Sequence, residues 1–149
     1  MRILLVSDTH GKLGCIDRLA RETGASAVFH AGDFGFYDAD SVRRLSVREV
    51  ALAILHSDLS KPAIDAARRM TPQELVQFAA ESLSLSDLPQ YLSGERRFAV
   101  PVYAVWGNHE DKFVVEALRA GTARAGNLLL LDERAGHRVG PFHVFGLGG

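Results

Sequence analysis

Three short polar clusters carry the residue types that bind metal and move protons: Asp8-Thr9-His10, Gly32-Asp33 and Gly107-Asn108-His109-Glu110. Carboxylate, imidazole and amide oxygen together suit divalent ions such as Mn, Fe, Zn or Mg, and one carboxylate can bridge two of them. Asp33 is the candidate bridge. Two ions about 3.5–4 Å apart activate a bridging hydroxide and neutralise the charge that develops in an in-line displacement at phosphorus. The chemistry that follows is phosphoester hydrolysis. His109, next to the candidate ligand Asn108, is close enough to protonate the departing oxygen as a general acid. Taken singly each cluster is weak, since Asp-x-His is commonly a capped loop, Gly-Asp a turn, and Asn-His a helix cap. Their order and placement make them specific.

Each cluster directly follows an apolar run of strand type. Ile3 to Val6 precedes Ser7-Asp8, Ala27-Val28-Phe29 precedes His30-Ala31-Gly32-Asp33, and Val102 to Val105 precedes Trp106-Gly107. Such short continuous runs suit strands buried on both faces of a parallel sheet. Between the first two, Ile16, Leu19, Ala20 and Thr23 keep a helical period ended by Gly24. Ligands of open α/β sheets gather at the carboxyl ends of the strands, so the three clusters converge on one site. Downstream, Phe113, Val114, Ala117 and Leu118 predict a helix up to Gly121, Leu128 to Leu131 a strand, and Phe142 to Phe145 another after a turn at Ala135-Gly136.

Residues from about 38 to 98 read as a helical insert. Val42, Leu45, Val50 and Ile54 are spaced for one amphipathic helix. Thr71-Pro72-Gln73-Glu74 is a capping box ahead of Leu75, Phe78, Ala79 and Leu83, and Ser86 to Gly94 predicts a further short helix.

Composition narrows the class. The 149 residues, 47% hydrophobic and 23% charged, suit one ordinary globular domain that buries roughly 70% of its unfolded surface. A net charge of -1 offers no global field for a long nucleic acid. The single Cys15 excludes an internal disulfide and a Cys-type zinc site. The N-terminal apolar run is too short for a membrane span, and a cytoplasmic location with no membrane partner is the expectation.

In order and type, D-x-H, G-D and G-N-H-[DE] resemble the calcineurin-like metallophosphoesterase family. The resemblance implies an α/β fold, a metallophosphoesterase-type β-sandwich core flanked by helices, with Asp8 and His10 on one metal, Asp33 bridging, Asn108 on the second and His109 assisting the leaving group. It leaves Glu110 without a metal role. The family pattern goes on to a later His and a G-H-x-H, which this chain lacks, since only His137 and His143 follow Glu110. The chain is therefore expected to be the N-terminal portion of a single domain, 1–149, truncated at its C-terminus. Two divalent ions are expected in the intact protein, and one or none in this chain alone.

Metal-dependent hydrolysis of phosphomonoesters or phosphodiesters is the leading expectation. The alternatives are a non-catalytic interaction scaffold on the same fold, or a debranching-like phosphodiesterase of nucleic acids, a branch that Leu88 to Glu95 leading to Gly107-Asn108-His109-Glu110 resembles and that the arginines at 43, 44, 48, 68, 69, 96 and 97 would suit. Most such arginines are solvated helix faces. His30, within a strand pattern, reads as a core histidine, Cys15 as a small buried residue, and Trp106 as a packed aromatic beside the site.

Overall fold

A computed structural model describes all residues, 1–149. The chain runs β1 (Ile3–Val6), α1 (Gly14–Thr23), β2 (Ala27–His30), α2 (Ser41–Arg44), α3 (Val47–Leu55), α4 (Lys61–Ala67), α5 (Pro72–Ser82), α6 (Leu88–Leu92), β3 (Val102–Ala104), α7 (Lys112–Arg119), β4 (Leu128–Leu130), β5 (His137–Val139) and β6 (Phe142–Val144). Strands β1 to β4 form one parallel sheet in chain order, and β5 and β6 pair as a separate antiparallel hairpin. All three polar clusters follow the carboxyl ends of adjacent strands, as the apolar runs predict.

Strand register divides the sheet into two unequal faces. Leu4, Val28, Val102 and Leu128 align across the four strands, as do Val6, His30, Ala104 and Leu130. This face joins the main core, with Leu13, Ile16 and Ala20 of the α1 region, Val114 and Val115 of α7, and the aromatic group Phe34, Phe36, Tyr91 and Phe98. The opposite face carries Leu5, Phe29, Tyr103 and Leu129 in register. Phe29 and Tyr103 stack on it with centroids 5.2 Å apart. Leu5 is 76% exposed, which corrects the expectation that β1 is buried on both faces. The strand lies at the sheet edge, and Leu5 is on the side turned away from the main core.

Two compact units divide the chain: residues 1–37 with 86–149, and residues 38–85. The second unit has its own core of Val42, Val50, Ile54, Ala67, Leu75 and Ala79. The helical insert is thus shorter than the span 38–98 read from sequence. Residues after Ser86 join the main core because Tyr91 stacks on Phe98 at 4.2 Å and Phe98 meets Phe34 edge-on at 6.2 Å.

Within the insert, the helix expected through Val42 to Ile54 is broken. Leu45 and Ser46 adopt extended backbone, and Ser46 with Glu49 forms a capping box that restarts the chain as α3. The box at Thr71 and Glu74 forms as read. Helix α4, begun at Ser60-Lys61-Pro62, was not foreseen. The hairpin turn falls at Gly140-Pro141 between β5 and β6, with Gly140 at φ 58°, rather than at Ala135-Gly136. No helix is long and apolar enough to cross a membrane.

Candidate metal centre

Asp8, His10 and Asp33 come together as the sequence suggests. One ligand-type atom from each lies within 4.8 Å of the others, and His10 Nε2 stands 4.0 Å from Asp8 Oδ1. Ligands around one first-row ion sit about 3–3.5 Å apart at metal–ligand bonds of about 2.0–2.2 Å. Small rotations of the exposed Asp8 and His10 side chains close that difference. Asp33 Oδ1 is buried without a hydrogen-bond partner, a desolvation cost that a cation on this carboxylate would offset. By donor type, spacing and this orphaned oxygen, the three side chains fit a divalent ion.

The backbone is bent to present them. Asp8, His10 and Asp33 have φ of 57°, 44° and 51°, three of the four non-glycine residues with positive φ. Left-handed backbone at non-glycine residues costs about 1–3 kcal/mol each and gathers at functional sites. Ladder-like bonds between the first two loops hold them there: Asp8 N donates to Gly32 O at 3.0 Å, His10 N to Asp33 O at 2.9 Å and Gly11 N to Phe34 O at 2.9 Å.

Thr9, the middle residue of the first cluster, is a tie rather than a spacer. Its hydroxyl donates to Phe34 O at 2.9 Å, so it accepts from His30 Nε2, 3.0 Å away. His30 is 2% exposed and meets Phe34 edge-on at 4.9 Å. Burial pushes its pKa down to about 4, partly offset by the carboxylates of Asp8 and Asp33. The imidazole is therefore neutral at pH 7, the core histidine read from its strand position.

The third cluster stands beside the first two. Asp8, Gly32, Asp33, Gly107 and Asn108 line one cleft of about 260 Å³. A Cβ on Gly107 would lie 1.9 Å from Asp33 Oδ1, so only glycine lets the third loop pass this carboxylate. Asn108 and His109 are both exposed, with Asn108 Nδ2 3.4 Å from His109 Nε2. The Tyr37 hydroxyl donates to His109 O. Neither Asn108 nor His109 caps the following helix. That role belongs to Asp111, which accepts from Phe113 N at 2.9 Å, so both side chains stay outside the helix cap.

Glu110, which sequence reasoning left without a role, ties the third loop to the second. Its carboxylate accepts from the backbone N–H groups of Phe34, Gly35 and Phe36 at 2.5–3.3 Å. Burial pushes its pKa up to about 7, against the pull of these amides and that of Gly107. Nothing local in the sequence signals contacts spanning more than 70 positions.

Trp106 is packed as expected, with the Arg119 guanidinium 4.8 Å from its ring centre. The arginines suggested for an anion groove mostly serve local contacts. Arg43 pairs with Asp40, Arg44 with Asp38 and Arg68 with Asp65, Arg96 lies over Tyr91, and Arg97 donates to Asn127. Cys15 is half-buried against the main core.

Comparison with known proteins agrees with this geometry. No curated protein and no solved structure gives a significant match. The family model described as calcineurin-like phosphoesterase matches residues 1–146, nearly the whole length over which the three loops and their strands are built, and the chain belongs to that family.

Proposed function

We propose that this chain supplies the Asp8, His10, Asp33 and Asn108 side of a dinuclear metal site in a cytoplasmic phosphoesterase, with His109 as the acid that protonates the leaving oxygen. The observation that carries the reading is the cluster of Asp8, His10 and Asp33, held within 4.8 Å on strained backbone. Membership of a family of metal-dependent phosphoesterases supports it.

Divalent ions bound here would supply Lewis acidity to the phosphoryl oxygens and a nucleophile at neutral pH. The protein's own share is positional. Asp8 and His10 offer one ion a carboxylate and an imidazole, Asp33 stands between the first and third loops where it can bridge, and Asn108 contributes from the third. His109, anchored through its carbonyl by Tyr37, offers an exposed ring for proton transfer next to Asn108. Phosphomonoesters and phosphodiesters both fit this chemistry. The local pairing of the arginines favours a small phosphoester over an extended nucleic acid.

Titration with Mn²⁺, followed by the loss of the free-ion paramagnetic resonance signal, tests the reading. Saturable binding by the wild type that falls at least tenfold in Asp33→Asn, with hydrolysis of an aryl phosphoester that depends on the same residue, is the expected outcome. Equal Mn²⁺ uptake by both proteins would sink it.

A further inference from the structure

We propose that Glu110 is the positioning residue of the metal cradle: its carboxylate clamps the Asp33 loop to the Asn108 loop, an inference that rests on the metal-site reading above. Oε1 accepts from Phe34 N at 2.7 Å and from Gly35 N at 3.3 Å, and Oε2 from Gly35 N at 3.2 Å and Phe36 N at 2.5 Å. Three consecutive backbone donors of one loop therefore converge on one side chain of another. Phe34 begins one residue after Asp33, and Glu110 stands two residues after Asn108. The clamp thus sits beside a candidate ligand on each side.

Phe34 and Phe36 are fully buried, so without the carboxylate their N–H groups would lose their partner away from water, at the full cost of buried, unpaired donors. The loop cannot turn to find new ones, because Gly35 is packed against the first loop. It has φ +96°, and a Cβ there would lie 2.1 Å from Gly11 N. Asp111 N adds a bond to Phe36 O at 3.2 Å. Loops after β1, β2 and β3 thus cross at one point, and Glu110 bonds across it through both carboxylate oxygens.

The same geometry separates positioning from catalysis. Both Glu110 oxygens are turned onto backbone amides of the Asp33 loop, so neither is directed at a substrate. Only the carboxylate form offers both oxygens to these amides as acceptors. A glutamine side chain keeps one acceptor oxygen but replaces the other with an NH₂ that would face a backbone N–H. Partners of this kind, one step behind metal ligands, typically carry a 10–100-fold effect on metal affinity when removed.

The test compares wild type, Glu110→Ala and the near-isosteric Glu110→Gln, which keeps the test alive if the alanine protein does not fold. Amide hydrogen exchange is followed in metal-free protein, and Mn²⁺ binding by the free-ion resonance signal. We expect exchange at Phe34, Gly35 and Phe36 to quicken at least tenfold while β2 and β3 stay protected, and the Mn²⁺ dissociation constant to rise 10–100-fold. Unchanged exchange at those amides, or Mn²⁺ affinity within twofold of wild type, overturns the proposal. So does uniform quickening through β2 and β3, which marks a general loss of stability. Should wild type itself take up no Mn²⁺, the metal reading fails separately, and exchange at the three amides still decides whether Glu110 clamps the loop.

Discussion

At the scale of single residues, the candidate site is shaped as much by a missing side chain as by the polar ones around it. Gly107 has no side chain because Asp33 Oδ1 occupies the place of its Cβ, 1.9 Å away, with Asp33 N at 2.7 Å. Gly107→Ala must therefore displace Asp33, and we expect at least a tenfold loss of Mn²⁺ affinity with about 1–3 kcal/mol of stability, read by metal titration and chemical denaturation. His30 makes a different prediction. Its folded pKa of about 4 lies below the ordinary 6.5, so the unfolded chain takes up a proton first as pH falls. Its contribution is intact above pH 6.5 and is lost toward pH 4, about 2 kcal/mol by pH 5. Denaturation at pH 7 and pH 5 should show that extra loss in wild type and not in His30→Gln; equal losses would refute it. The grouping of Asp8, His10 and Asp33 was legible in the sequence because ligand chemistry is written in residue type. The left-handed backbone at Asp8, His10 and Asp33 and the role of Glu110 were not, because both arise from loops that meet only after the sheet forms.

At the scale of elements, parallel topology turns three separate motifs into one place. Each strand was visible as an apolar run, and the in-order sheet puts all three carboxyl ends side by side. What the runs concealed is that one face joins the main core while the other leaves Leu5 of β1 exposed. An apolar residue looks the same on either, and the alternation that reveals sidedness needs polar residues on one side. The two faces should respond differently to substitution. Val28→Ala, at a fully buried position of the main core, is expected to cost about 1–3 kcal/mol, and Leu5→Ser, at 76% exposure, less than about 1 kcal/mol. Urea midpoints measure both, and a costlier Leu5→Ser would show that β1 is covered on that side. Helix boundaries failed for another reason. Ser46-Val47-Arg48-Glu49 has the same capping-box spacing as the Thr71 box that was read, yet apolar periodicity runs straight across it from Val42 to Ile54. The local cap prevailed over the longer-range period, as the bonds between Ser46 and Glu49 record.

For the molecule as a whole, two cores without a shared residue divide the work. Leu13, Ile16, Val28, Val102 and Val114 of the first core support the strands whose ends carry every candidate ligand. The second, Val42, Val50, Ile54, Ala67, Leu75 and Ala79, lies wholly within the insert and contains none of them. Composition could not reveal this division, since 149 residues are enough for a single core, and the division depends on which apolar faces find each other. If the cores are energetically separate, damage to one should stay there. Ile54 is 3% exposed, and truncating such a residue to alanine costs about 2–5 kcal/mol. Ile54→Ala should therefore speed amide exchange in α3 and α5, whose packing it interrupts, while β2, β3 and the amides of Phe34 to Phe36 keep their protection. Mn²⁺ affinity should remain within twofold of wild type. Quickened exchange in β2 and β3 at the same rate as in α5 would mean that the units open together, with the insert contributing to the stability of the sheet that carries the metal loops.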